Sequence, residues 1–178
     1  MRKDAQARRD QLIVAAAELF EQHGYGVALE AVAERAGVGR GTLYRNFADR
    51  NAMIVAVLEK RLDELALFIK ENVDSPTLFE DFVRRQGVVA AFHTKALVNA
   101  ENGALNRVII SLRERADALM GTVLEGAIAL GRISAHITIT DMRIVNRMLI
   151  AAATMPEMDP NDALERALAI LLAGLAPS

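Results

Sequence analysis

Between Leu29 and Arg50 the chain reads LEAVAERAGVGRGTLYRNFADR, two short helical patterns joined at Gly37-Val38-Gly39, and this stretch restricts the fold more than any other. Leu29, Val32, Ala33 and Ala36 recur at helical spacing and leave Glu30, Glu34 and Arg35 on the opposite side. The two glycines tolerate positive φ, and Val38 between them can fill the angle between two helices. From Arg40 to Phe47 the helical spacing resumes, with Leu43 and Phe47 facing a core and Arg40, Thr42, Tyr44, Arg45 and Asn46 at exposed positions. The spacing predicts a helix-turn-helix whose second helix presents polar side chains outward.

Those side chains suit DNA. Arginine forks onto guanine or pairs with phosphate, Thr and Asn bond phosphates or base edges, and a tyrosine hydroxyl reaches a phosphate while its ring lies on the helix. From Arg35 to Arg50 there are four arginines (Arg35, Arg40, Arg45, Arg50) and one acid, Asp49. The local charge is positive although the chain as a whole carries −2. Residues 1–50 hold eight Lys or Arg and seven Asp or Glu, so the remainder holds 13 and 16, a balance of −3. A protein that coats nucleic acid indiscriminately would not have this balance, whereas one with a local basic head would.

The run AGVGRGTLYRNF followed by Arg50 resembles the DNA-binding signature of the tetracycline-repressor (TetR) family of bacterial regulators. The resemblance extends upstream through Arg9, Leu12, Ile13, Ala16, Ala17, Leu19, Phe20 and Gly24, covering roughly the first third of the chain. It implies that Arg40, Gly41, Thr42, Tyr44, Arg45 and Asn46 form the DNA-reading surface. Arg50 stands where the family usually has a phosphate-binding lysine. Two positions depart from the pattern: Val27-Ala28 replaces a usual capping threonine, and Gly39 replaces a common serine. Loss of a cap costs about 1 kcal/mol, so the second helix is expected to fray more than usual and DNA binding to be weakened.

The chain has 178 residues, 52% of them hydrophobic, enough for a substantial core, yet only 4% are aromatic and none is Trp. Ala, Leu, Ile, Val and Met therefore fill the interior, and an all-α fold is expected throughout. Cysteine is absent, excluding disulfides and thiolate chemistry. The basic start, MRKDAQARRD, leads into an amphipathic helix and not into the apolar core of a signal peptide. No apolar run has membrane-spanning length. A cytoplasmic protein with no membrane partner is expected.

A first helix is predicted from near Ala5 or Arg9 to His23, ended by Gly24, with Arg2, Lys3, Arg8 and Arg9 either a flexible arm toward DNA or solvated charges. A long helix from Asn51 to about Asn72 links head to body. Asp74-Ser75-Pro76 breaks it, and Thr77 with Glu80 has the form of a capping box opening a helix to about Asn99. Asn102-Gly103 interrupts again, and a helix with a short break before its main body is predicted as far as Gly131. Arg132–Ile139 reads as loop, Thr140-Asp141 as the cap of the next helix, and Asp159-Pro160 as the start of the last.

No catalytic group set is present. His23, His93 and His136 fall on separate elements with no metal-ligand spacing, the glycines follow no strand, and Glu80-Asp81 and Asp63-Glu64 lie on polar faces. No metal, cofactor or enzyme activity is expected. In the helix after Thr77, Phe79, Phe82, Val83, Gln86, Ala90, His93 and Leu97 share one face, so Gln86 and His93 interrupt an apolar stripe. They are either buried polar groups bonded to a neighbouring helix, or groups that orient a ligand in a cavity. On the second reading Phe82, Gln86, His93 and Leu97 line an effector pocket.

The expectation is a helix-turn-helix DNA-binding domain at residues 1–50 and a larger helical-bundle domain at 51–178 for effector binding and dimerisation. Such a chain would be a homodimeric repressor that binds double-stranded operator DNA and releases it when an unidentified small molecule binds. Met142, Val145 and Leu149, with Leu164, Leu168, Leu171 and Leu175, offer the apolar surface for the dimer. The rival is a DNA-binding dimerisation and protein-interaction module with no small-molecule effector.

Overall fold

The structure, a computed structural model, describes residues 2–85 and 103–177. Among the described residues every regular element is helical: α1 (Arg2–His23), α2 (Leu29–Arg35), α3 (Arg40–Asn46), α4 (Arg50–Glu71), α5 (78–85), α6 (Gly103–Ala129), α7 (Ile139–Ala153) and α8 (Pro160–Leu175). They divide between two compact units, one within Met1–Glu64 and Lys95–Leu112, the other within Leu65–Thr94 and Arg113–Ser178.

The first unit is built on α1. Its alanines let neighbouring backbones approach closely, and Leu12, Ile13, Ala15, Ala16, Ala17 and Phe20 are buried with Leu29, Val32, Ala33, Leu43 and Phe47. Met53, Ala56 and Val57 of α4 belong to the same core, so this unit extends past residue 50, where the sequence placed the boundary. Gly24 ends α1 at φ +75, its N–H donating to the Phe20 carbonyl at 2.9 Å. Between α2 and α3, Gly37 takes φ +67, and Val38 packs against the core with its N–H on the Ala33 carbonyl. Gly39, in contrast, sits at φ −73 in extended backbone that any residue adopts, so only one of the two hinge glycines uses positive φ. Ala28 and Gly39 cap α2 and α3 without a side-chain bond, as the two departures from the resembling pattern imply.

Two N-terminal expectations change. Helix α1 begins at Arg2, so Arg8 and Arg9 are helical and form no flexible arm. Arg9 reaches across to donate to the Asn46 carbonyl at 3.3 Å and lies over the Phe47 ring, 4.4 Å from its centroid. Helix α2 ends at Arg35, and Ala36, its C-cap, packs against the core with the stripe read from the sequence.

In the second unit the core joins Ile69 of α4, Phe79, Phe82 and Val83 of α5, Met120, Val123, Leu124 and Ala127 of α6, Ile133, and the inner stripes of α7 and α8. Thr77 and Glu80 do not form the expected capping box. The Thr77 hydroxyl donates to Asp81 at 2.9 Å, while Glu80 pairs with Arg132, far along the chain. The cap of α7 lies two residues before Thr140: the Thr138 hydroxyl accepts from the Asp141 N–H, and the Asp141 carboxylate takes the Thr138 N–H at 2.8 Å. Helix α6 runs unbroken from Gly103 and ends before Gly131, which turns the chain at φ +66. Asp159 caps α8 through the N–H groups of Asn161 and Asp162, with Pro160 in the first turn. Arg132–Thr138 is loop, and no described helix is long and apolar enough to cross a membrane.

The stripe chosen from sequence for the dimer faces inward. Met142, Val145, Leu149, Leu164, Leu168 and Leu175 are buried within one chain, and Leu171 packs against them. They are the strongest apolar periodicity of α7 and α8, and the chain's own core takes them first. The outward faces carry a second stripe, with Ile144 53%, Met148 51% and Ile170 67% exposed.

Candidate nucleic-acid interface

Helix α3 is held by two residues and displays the rest. Leu43 is fully buried and Phe47, just past the helix end, is 1% exposed. Opposite them Arg40, Gly41, Tyr44 and Arg45 are exposed, with Thr42 and Asn46 half-buried beside them. The helix is seven residues long, too short to persist alone, so its place depends on that pair of anchors and on Arg9.

Each polar residue has a distinct local commitment. The Asn46 amide donates to the Thr42 carbonyl at 2.8 Å, and Arg45 donates to the Thr42 hydroxyl at 3.1 Å. Arg40 makes no hydrogen bond or ion pair with the described residues. Gly41 leaves the surface bare, since a Cβ there would meet only the end of Arg45, at 3.8 Å. Glycine inside a helix costs about 1 kcal/mol relative to alanine, and nothing in the fold requires it, which fits close approach from outside. Of the four arginines between residues 35 and 50, Arg35 is paired with Glu18 at 2.6 Å and Arg50 is bonded to carbonyls, so Arg40 and Arg45 carry the outward charge.

Two contacts were not legible in the sequence. The Tyr44 hydroxyl donates to the Glu30 carboxylate at 2.9 Å, joining the middle of α3 to the first turn of α2. Glu30's own main-chain N–H, then the Tyr44 hydroxyl, hold its carboxyl below the ordinary value, and the accepting carboxylate raises the Tyr44 phenol. The guanidinium of Arg50 donates to the carbonyls of Tyr25 and Val27, bracing the loop before α2. No spacing rule connects partners that stand fourteen and more positions apart.

The Arg50 contact carries a prediction. Arg50→Ala leaves two carbonyls without their donor, and a hydrogen bond to a charged group contributes about 1.5–3 kcal/mol. Thermal unfolding followed by circular dichroism should show a lower midpoint for Arg50→Ala, with Arg50→Lys intermediate because both bonds come from one guanidinium nitrogen, which an ammonium on a shorter side chain replaces with poorer reach. An unchanged midpoint in Arg50→Ala would show that the brace is inert.

Phe82 of the expected effector pocket is fully buried in the second core. Gln86, His93 and Leu97 lie outside the described residues. Among the described residues a groove of about 360 Å³ lies on the first unit, lined by Ile13, Val14 and Ala56 but also by Arg9, Asp10 and Glu59. Its charges differ from the apolar walls with few polar groups that small-molecule sites use. No cluster of metal-ligating side chains occurs among the described residues.

Residues 12–57 match the model of a family described as bacterial regulatory proteins, tetR family. Over 86 residues, 48% of this chain, the sequence is 34% identical to the HTH-type transcriptional activator FasR of Mycolicibacterium smegmatis, covering 38% of that protein. The chain thus spans 38 to 40% of the length of the curated relatives it matches. The fold is similar to that of the TetR transcriptional regulator SCO0520 from Streptomyces coelicolor, at a TM-score of 0.77 and 27% identity over 96% of this chain and 99% of that one. It is also similar to FadR from Bacillus subtilis, solved in complex with stearoyl-CoA, at a TM-score of 0.64 and 17% identity over 93% of this chain and 98% of that one.

Proposed function

We propose that the chain is a member of the TetR family of bacterial regulatory proteins and a DNA-binding transcriptional regulator, a repressor that leaves its operator when a small molecule binds the helical body. One observation carries the DNA-binding part: α3 is fixed from behind by Leu43 and Phe47 while Arg40, Tyr44 and Arg45 stand outward on one short helix. Arg40 and Arg45 read base edges and phosphates, and Thr42 and Asn46 add contacts from the flanks. Arg50 supports this surface from the loop before α2, and any phosphate contact it makes uses the donors left over from the Tyr25 and Val27 carbonyls.

The functional division places DNA reading in the first unit and sensing in the second. Support for sensing comes from the fold neighbour that holds stearoyl-CoA. In the sequence Gln86, His93 and Leu97 recur with Phe82 at helical spacing; Gln86 and His93 are the residues proposed to orient the effector, with Leu97 as an apolar wall. Long-chain acyl-CoA is the first probe. A ligand that binds only the native state raises its melting temperature, by about 2.7 kcal/mol of stabilisation at a hundredfold excess over Kd. Stearoyl-CoA at saturating concentration should raise the midpoint and lower DNA affinity together. A midpoint unmoved by a panel of acyl-CoAs and metabolites favours the rival reading, a regulator without a small-molecule effector.

Assembly is proposed through the outward faces of α7 and α8, which pack on each other within the chain. Ile144, Met148 and Met155 follow at helical spacing on and just beyond α7, and Ile170 stands on α8. Two copies related by a two-fold axis bury these into a four-helix interface and present two heads. The operator is then palindromic, with half-sites about one helical turn or a multiple apart.

A further inference from the structure

Tyr44 has one hydroxyl proton, and Glu30 holds it. A phenol donates a single hydrogen bond, and a phosphate oxygen only accepts, so the Tyr44 hydroxyl serves either the carboxylate or the DNA backbone at one time. The bond to Glu30 is 2.9 Å long and joins two half-open positions, with Tyr44 50% exposed. Arg40 and Arg50 act electrostatically on both partners, so the carboxylate sits within the same charged surface that would face phosphates. A bound phosphate beside Glu30 would meet a like charge as well as a rival for the proton.

Resting on the DNA-binding reading above, we propose that Glu30 competes with the DNA backbone for the Tyr44 hydroxyl and so limits how tightly the head grips DNA. Glu30 is a positioning residue that acts through Tyr44. In the free protein it parks the phenol against α2; on DNA the phenol must turn from the carboxylate to a phosphate. The affinity of the head is therefore lower than its exposed arginines alone would give.

The test uses the full chain and random-sequence duplex DNA, because a phosphate contact does not depend on the operator. Glu30→Ala should bind about three- to tenfold more tightly than the parent at fixed salt, since it frees a charge-assisted donor. Glu30→Gln should gain less, because its amide oxygen still accepts the phenol proton. In a Tyr44→Phe background the two Glu30 variants should become equal, leaving only the effect of the removed charge, a salt slope steeper by about one unit. The Tyr44 phenol, identified by its loss in Tyr44→Phe and followed by ultraviolet absorbance, should ionise at lower pH in Glu30→Ala than in the parent. That readout needs no DNA, so it separates failure of this contact from failure of the DNA-binding reading. A phenol titration unmoved by Glu30→Ala overturns the proposal, as does unchanged or weaker DNA binding by Glu30→Ala. A gap between the two Glu30 variants that persists without the Tyr44 hydroxyl also overturns it.

Discussion

Ile170→Glu should convert the protein from dimer to monomer in sedimentation while leaving its helical content unchanged. Ile170 is 67% exposed in one chain, so a carboxylate there disturbs no intrachain packing, whereas in the proposed two-fold interface it would bury an unpaired charge. The inner stripe of α8, Leu164, Leu168 and Leu175, is untouched. Losing the second head removes its tethered encounter with the second half-site. Operator affinity should fall by about 10²–10⁴-fold for that reason alone. Leu168→Glu provides the contrast: at 2% exposure it belongs to the core, and its substitution should unfold the second unit before it affects assembly. Ile170→Glu sedimenting as the parent does would remove the outward faces of α7 and α8 from the interface.

Phe47→Ala should destabilise the head by about 3–5 kcal/mol, the cost of emptying a buried aromatic site. Phe47 is 1% exposed, closes α3 through its N–H on the Leu43 carbonyl at 2.9 Å, and carries the Arg9 guanidinium on its ring. One substitution therefore removes core volume and releases the cation that holds the end of α3. Native stabilities are about 5–15 kcal/mol in total, so urea unfolding followed by far-ultraviolet circular dichroism should show a much lower midpoint, with an early loss of head helicity. Arg9→Ala should produce a smaller shift in the same direction. A Phe47→Ala midpoint equal to the parent's would mean that α3 is held by other contacts.

The head was legible in the sequence because its information is local. The spacing of Leu43 and Phe47, the glycine after α2 and the glycine after α1 each act within one or two turns, and the structure places them as that spacing implies. What was not legible depends on partners distant along the chain. Glu80 resembled a capping residue, but Arg132 pairs with it; Arg50 resembled a phosphate ligand, but the Tyr25 and Val27 carbonyls occupy part of its fork. Helices α7 and α8 each carry apolar residues on two sides, and periodicity alone does not say which side meets the chain's own core. The stronger stripe went inward, so of the dimer residues named from sequence all but the partly buried Leu171 are core residues, and the weaker stripe, Ile144, Met148 and Ile170, was left outside. Of the expected pocket only Phe82 falls among the described residues, where it is part of the core.

Selection of genomic DNA fragments by the full chain, run beside Arg40→Ala, tests the central claim that α3 reads DNA. The parent should enrich fragments sharing a palindrome whose half-sites lie about one helical turn or a multiple apart. Arg40→Ala should retain the fold but lose about 1–3 kcal/mol of base discrimination, so the shared sequence becomes degenerate at the position Arg40 contacts. Enrichment of no common sequence by the parent, or the same sequence enriched equally by Arg40→Ala, would contradict the account.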